Sequence, residues 1–465
     1  MKHYIAMFLT FLTTLTLTAQ DITGQWNGVL KVQGTQLRVV FNVSKTDNSF
    51  VSTMDSPDQG AKGIPVTNTT FKDSTITFVV ANAQIEYKGT LKDEVIVGVF
   101  KQMGREFPLN LSKKAIEKEP LKRPQEPIKP YPYHSEEVTF QNAKAGISLA
   151  GTLTWPKKEG VFPAVILISG SGPQNRDEEM MGHKPFLIIS DYLTKNGIAV
   201  LRYDDRGVAE STGDFKTATS ADFATDVESA IAYLKTRKEI DKNKIGLIGH
   251  SEGGIIAPMV ASRSKEVAFI VLLAGTGIPG DQLLLLQKER IARANGVSEH
   301  DIKKAQETNA TLFKMVLTAD DIGQLKTDLT HSITEAIKNE KSTETINRTT
   351  EDAYVAMQVD QLTSPWMLYF LKYDPATALE KVTCPVLAVN GEKDLQVPSD
   401  ENLTAIKNAL TKGGNKNVST KEFENLNHLF QECETGSPNE YGTIEQTFSP
   451  LALAEITQWI LAQTH

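Results

Sequence analysis

Residues 247–254 read Leu-Ile-Gly-His-Ser-Glu-Gly-Gly, a serine and a glutamate set among glycines directly after an apolar run. Gly249, Ser251 and Gly253 make the pattern G-x-S-x-G. A serine hydroxyl is a weak nucleophile at neutral pH, so acyl chemistry at this position needs a base to take its proton and an acid to orient the base. The strand "KIGLIGH" (244–250) leads into Ser251 and the helical spacing of "EGGIIAPMVASR" follows it. The serine is therefore expected on a tight strand-to-helix turn that strains its backbone, with Gly249, Gly253 and Gly254 giving strand and helix room to approach. Such a turn exposes the hydroxyl and aims the N–H of Glu252 at a developing oxyanion, a role that does not use the glutamate side chain.

Eight histidines are available as the base. His3 lies in the N-terminal leader, His134 in a linker and His465 at the last position, while His300 and His331 fall in polar helical sequence. His183 sits in a loop after an earlier strand, and His250, next to the serine, is expected to point off the other side of its strand. His428, in "ENLNHLF", follows a late strand, where the chain order Ser, acid, His places the base. The acid should follow a strand between the two. "CPVLAVNGEKDLQVP" (384–398) is such a place, and Asp394, past the Gly turn and before Pro398, is preferred over Glu392 and Asp400. A second oxyanion donor is expected in "SGSGPQNRDEE", where Gly170 and Gly172 let the N–H of Ser171 turn inward. That loop lacks the Gly-Lys-Ser/Thr of a phosphate loop, and no HExxH or paired Cys/His spacing implies a metal. Neither a cofactor nor a catalytic metal is expected.

Positioning these groups requires a sheet. From about residue 137 strands alternate with helical patterns, the signature of a mainly parallel sheet flanked by helices. A hairpin (137–155) is followed by "FPAVILISG" (162–170), the helical "PFLIISDYLTKNG", "IAVLRYD" (198–204) and the helical "ADFATDVESAIAYLKTR" (221–237), and then by the strand that ends at Ser251. Residues 20–112 instead hold short strand-like runs separated by Gly, Asn, Asp and Pro turns, a small antiparallel β-domain. Between the two, residues 113–136 combine charge with repeated proline and read as an extended linker.

The segments "GSGPQNRDE", "YDDRGVAES", "GHSEGG", "NGEKDLQVP" and "LNHLFQ...TGSPNEY" follow one another in that order. With them the chain resembles α/β-hydrolases, and among these EstD-type secreted bacterial carboxylesterases that carry an N-terminal β-domain, over nearly the whole mature chain. The resemblance implies Ser251 as nucleophile, His428 as base, Asp394 as acid and backbone donors at Ser171 and Glu252. It also implies that the helical insertion at about 281–380, within a catalytic domain of residues 137–465, is a lid or cap. Late in that insertion "SPWMLYFLKYDP" (364–375) clusters aromatics, of which Trp366, Tyr369 and Phe370 are candidates to line a substrate pocket, against the plainer reading of helix packing. Arg176/Asp177 and Asp205/Arg206 are read as ion pairs that brace loops.

A chain of 465 residues is long for one core, and 40% hydrophobic with 23% charged residues is a globular composition. A lone Lys2, an apolar stretch from Ile5 to Leu17 and Ala19 at a cleavage position read as a signal peptide over residues 1–19, which places the protein in the periplasm or outside the cell. Loss of Lys2 takes the formal net charge from −8 to −9, so nucleic acid and anionic membrane surfaces are not expected as partners. Later stretches do not span a membrane, and stable membrane insertion is not expected. Cys384 and Cys433 are read as unpaired structural thiols in preference to one disulfide. The expected partner is a small-molecule ester, with a homodimer left open. Two other readings stand beside carboxylesterase. One is a serine peptidase on the same fold, with Glu351 or Asp360 gripping an amine. The other gives the N-terminal domain a non-catalytic or glycan-binding role, which calls for aromatics exposed on one face; Trp26 and Tyr87 are few for that and also fit a core.

Overall fold

The computed structural model describes residues 21–32, 35–46, 49–59, 61–102, 105–116, 122–340 and 348–464, so the leader read over 1–19 lies outside the described residues. The chain divides into two compact units, one ending at Glu117 and the other starting at Lys118. No helix among the described residues is long and apolar enough to cross a membrane.

The first unit is a nine-stranded antiparallel sheet: β1 (Gly24–Val32), β2 (Thr35–Lys45), β3 (Phe50–Ser56), β4 (Ala61–Pro65), β5 (Asn68–Lys72), β6 (Thr75–Val80), β7 (Ile85–Lys92), β8 (Val95–Gln102) and β9 (Arg105–Ser112). β1 pairs with both β2 and β9, and the sheet curls until the Thr69 hydroxyl on β5 reaches the Ser52 hydroxyl on β3 at 3.0 Å. Alternation along the strands fills the concave side: on β7 every second residue from Ile85 to Leu91 is buried. Phe41 stacks on Phe78 with ring centroids 4.2 Å apart. The Tyr87 hydroxyl lies across the paired Gly89 and Gly98, where a Cβ on either would collide with it, and donates toward Ile96 O and Leu109 O. Trp26 and Tyr87 are 1% and 0% exposed, so both are core residues and the aromatic surface imagined for glycan binding is not made by them.

The second unit is built on an eight-stranded sheet of order β10-β11-β13-β12-β14-β15-β16-β17. β10 (His134–Asn142) and β11 (Ile147–Trp155) form the antiparallel edge; β12 (Phe162–Ile168), β13 (Ala199–Tyr203), β14 (Ile240–His250), β15 (Phe269–Leu273), β16 (Val386–Gly391) and β17 (Val418–Phe423) run parallel. β12 shows why both faces are covered. Ala164, Ile166 and Ile168 enter a core with α2 (Ser220–Leu234) and α3 (Gly253–Ala261), while Val165 and Leu167 enter the opposite one with α1 (Pro185–Lys195). Between β15 and β16 the chain inserts α4 (Gly280–Ala294), α5 (Glu299–Thr318), α6 (Ile322–Glu340), α7 (Arg348–Leu362), α8 (Pro365–Lys372) and the short α9 (Ala376–Leu379). The insertion has a core of its own, in which Phe313, Val316, Leu329, Val359 and Leu371 meet. α10 (Ser399–Lys412) and α11 (Pro450–Thr464) close the fold on opposite faces of the sheet.

The proline-rich segment departs from the extended linker its composition suggests. From residue 122 it is fastened to the second unit: Arg123 donates to the carbonyls of Met181, Gly182, Gly442 and Ile444, and the Gln125 side chain bonds to Phe448 O and to the N–H of Thr447. Tyr133 O–H reaches Asp191 at 2.9 Å. Side chains spaced between prolines thus find partners that composition does not reveal. Cys384 and Cys433 are free thiols, each pushed up to about 11, chiefly by burial.

Candidate active site

β14 ends at His250, and Ser251 takes a φ of 52°, the left-handed conformation that a non-glycine residue holds only under constraint. The constraint is visible in the glycines. A Cβ on Gly249 would fall on Gly253 O, one on Gly253 would meet Ile168 O, and one on Gly254 would lie 2.5 Å from Gly275 Cα. Ser251 N–H bonds to Leu273 O at 2.9 Å, and α3 starts two residues later, so the hydroxyl is lifted beyond the edge of the sheet.

Asp394 and His428 follow β16 and β17, which brings them to the same carboxyl edge as Ser251. His428 Nδ1 lies 2.7 Å from Asp394 Oδ2, with the residues 4% and 2% exposed. Asp394 Oδ1 accepts the N–H groups of Gln396 (2.8 Å) and Val397 (2.9 Å), so both carboxylate oxygens are committed and the group is fixed in orientation. The competing Glu392 instead accepts Asn425 N–H, and Asp400 is exposed in the first turn of α10. Asn427 shapes the loop that carries the imidazole: its side chain accepts the N–H groups of Leu429 and Gln431, on the far side of His428. With Nδ1 held by the carboxylate, Nε2 is the ring atom left for proton transfer. Among the described residues neither Nε2 nor the Ser251 hydroxyl has a protein hydrogen-bond partner, the open arrangement common before substrate binds.

The two expected oxyanion donors differ in setting. Ser171 is exposed, between Gly170 and Gly172, and Glu252 N–H heads α3; among the described residues neither amide has a protein acceptor. The Glu252 side chain, which sequence reasoning set aside, is 3% exposed and accepts Ser220 O–H at 2.5 Å and Trp366 Nε1–H at 2.7 Å. Burial raises its carboxyl above the usual range. Of the three aromatics proposed for a pocket, Trp366 therefore reaches the serine turn, while Phe370 beneath it is a core side chain stacked on the indole at 4.9 Å. Tyr369, half-buried, stacks on Tyr373.

His250 requires a correction. Its ring points toward the site, with its centroid 4.8 Å from that of His428, because the strand end turns into the serine hairpin and rotates the last side chain inward. The bracing ion pairs also change partners: Arg176 and Asp177 are the central residues of one turn and Asp205 and Arg206 open another, and each side chain finds its partner on a different segment. Arg176 pairs with Asp204 at 2.7 Å, Asp177 with Arg202, and Arg206 with Asp226 at 2.7 Å, while Asp205 accepts Ser169 O–H and Gln174 N–H. His183 is fully buried between Thr447 Oγ1 and Tyr441 O, and burial pushes its ring down to about 4. Glu351 is buried within α7, and Asp360 is exposed 3.8 Å from Lys326.

Residues 145–420, more than half of the chain, match the family described as X-Pro dipeptidyl-peptidase (S15 family). The chain belongs to the S15 family. Within it the chain is an α/β-hydrolase, as the doubly covered parallel sheet and the serine turn require. A curated relative of this S15 member is the esterase EstD of Thermotoga maritima, 27% identical over 345 residues, which are 72% of this chain and 69% of that one. Another is an uncharacterized 31.7 kDa protein of Escherichia coli, 25% identical over 70% of this chain and 98% of that one. Among solved structures, Est1E of Butyrivibrio proteoclasticus, with ferulic acid bound, aligns with a TM-score of 0.41 at 18% identity, covering 70% of this chain and 99% of that one.

Proposed function

We propose that the protein is a secreted or periplasmic serine carboxylesterase. The observation that carries the reading is the buried 2.7 Å pair of His428 and Asp394 on the same sheet edge as a serine held at φ 52°. In this reading Ser251 attacks the ester carbonyl while His428 Nε2 takes its proton, and the tetrahedral oxyanion rests on the N–H groups of Ser171 and Glu252. His428 then gives the proton to the leaving alcohol, and water repeats the sequence on the acyl-enzyme. Asp394 keeps Nδ1 protonated throughout. The likeness to an esterase over 72% of the chain supports an ester as the substrate.

The S15 match favours a second reading, in which the same three residues cleave a peptide bond next to proline. A panel of p-nitrophenyl esters from acetate to decanoate, run beside aminoacyl and Gly-Pro nitroanilides with Ser251→Ala as blank, separates the two. Ester turnover that disappears in the variant is the expected result. Nitroanilide cleavage with a higher kcat/KM than any ester overturns it in favour of a peptidase.

A further inference from the structure

Glu178 and His250 take no part in the acyl transfer set out above, yet they are 2% and 5% exposed and lie at its centre. Glu178 Oε1 accepts Gly170 N–H at 2.7 Å and lies 2.9 Å from His250 Nδ1; His250 Nε2 lies 3.0 Å from His428 O. We infer that Glu178 and His250 form a positioning pair that sets the oxyanion loop, the serine turn and the base loop in one mutual geometry. The inference rests on the acyl-transfer reading of Ser251 and His428.

Each contact has one consequence. Holding Gly170 N–H fixes the peptide just before Ser171 and so the direction of the Ser171 amide. His250 is the residue before Ser251, and its bond to His428 O sets the backbone from which the imidazole projects. Glu178 itself is held firmly: it adopts a φ of 51°, its N–H bonds to Asn175 O at 2.8 Å, and the preceding Arg176 is clamped on Asp204.

The proton count explains why a carboxylate is needed. A carbonyl oxygen only accepts, so His250 Nε2 must carry hydrogen; a second proton must lie between Nδ1 and Glu178 Oε1, which already accepts from Gly170. The pair therefore shares one proton more than a neutral imidazole beside a carboxylate would hold. A glutamine lacks the charge that holds the extra proton, and beside a neutral imidazole it fails one of the three contacts whichever way its amide is turned. Burial alone would lower the His250 pKa, but it is outweighed by Glu178, with help from His428 O and Asp394, so the group stays charged above its ordinary range. The titratable groups facing it are Glu178, Asp394 and His428, with Asp205 and Glu252 further along the same edge. A raised value means that the arrangement is intact below the ordinary histidine range and is lost as pH rises through the raised one. Buried ion pairs seldom add net stability, and Glu178 Oε2 has no partner among the described residues, so stability is a poor reason to keep this pair.

The test uses the full chain with the best ester from the panel. Glu178→Gln and His250→Asn are each expected to lower kcat on the order of 10²-fold with little change in KM, the cost of small misplacements in a catalytic constellation. The double variant should lose no more than the worse single, since the two act as a unit. The unaltered protein is expected to lose kcat on the alkaline side as the pair gives up its shared proton, and in Glu178→Gln that fall should move to lower pH. Losses that simply add, or a lowered melting temperature with kcat and its pH profile intact, overturn the inference. If either variant fails to fold, histidine ¹⁵N spectra of the unaltered protein decide: an imidazolium signal that persists above the ordinary histidine range is expected, and its absence overturns the pair. Activity that survives in Ser251→Ala overturns the acyl-transfer reading, whereas Ser251-dependent activity indifferent to both pair variants overturns only this inference.

Discussion

In the N-terminal unit the buried polar side chains among the described residues are Asn27, Ser52 and Ser56, all neutral, and the Tyr87 hydroxyl is satisfied by carbonyls of its own sheet. The second unit buries Glu178, Asp204, Asp226, Glu252 and Asp394 together with His183, His250, His428, Arg202 and Arg206. Most of these lie in or just beyond the last turns of parallel strands, the edge where open α/β sheets hold their ligands. Removing an ionisable group from water costs several kcal/mol unless partners replace the solvent, so a fold places such groups inside only where their fields are used. The first unit is built for persistence. The second accepts electrostatic cost along one edge and keeps the rest of its sheet as apolar as the first.

Substitutions can break this contrast, beginning with the most severe. Ser251→Ala should lower kcat by about 10⁶, the cost of removing the nucleophile from such a unit, and leave the melting temperature nearly unchanged. Single-turnover ester assays would check it, and an ordinary rate would remove Ser251 from the chemistry. Asp394→Asn keeps the shape but presents the wrong hydrogen-bonding face to His428 Nδ1. A loss of about 10⁴ in kcat is expected by steady-state kinetics. Phe41→Ala should do the reverse, destabilising the first unit by about 3–5 kcal/mol in denaturant unfolding while the rate per folded molecule stays constant.

Two smaller effects sharpen the contrast. His183, pushed from 6.5 down to about 4 chiefly by burial, is neutral when folded. The unfolded chain takes up the proton first, so the stability this residue contributes is present above about pH 6.5 and is lost as pH falls toward 4. Melting temperature against pH should show that slope, and His183→Gln should flatten it. Trp366→Phe removes one of the two donors on the buried Glu252, costing about 1–3 kcal/mol, and melting curves should register it. A shift in KM without a loss of stability would instead make the indole a substrate contact.

What was legible in the sequence follows the range of the interactions. The serine turn is local: the glycines around Ser251 and the strand and helix that flank it are consecutive, so the need for tight approach is written in neighbouring residues. That Asp394 and His428 meet was legible from strand order, because parallel strands bring their following loops to one edge. The Glu178–His250 contact spans 72 positions, the His250–His428 contact 178 and the Trp366–Glu252 contact 114. Nothing local marks such pairs, and the direction of a side chain at a strand end depends on how the chain turns afterwards. His250 was accordingly misdirected, and Glu252 was credited with its amide alone. The swapped partners of Arg176, Asp177 and Arg206 have the same origin.

The grip of Arg123 on four carbonyl groups has a bearing on where the catalytic unit can be cut. A fragment starting at residue 137, where composition suggests the break, would leave the segments around Met181 and Ile444 to find water in place of a guanidinium. Those segments abut His183 and Tyr441, which lean on one another through the imidazole. A gene fragment meant to be exchanged between scaffolds, or inherited as a module, must therefore carry its proline-rich preface with it. What looks like a tether in composition behaves as a buckle in the fold.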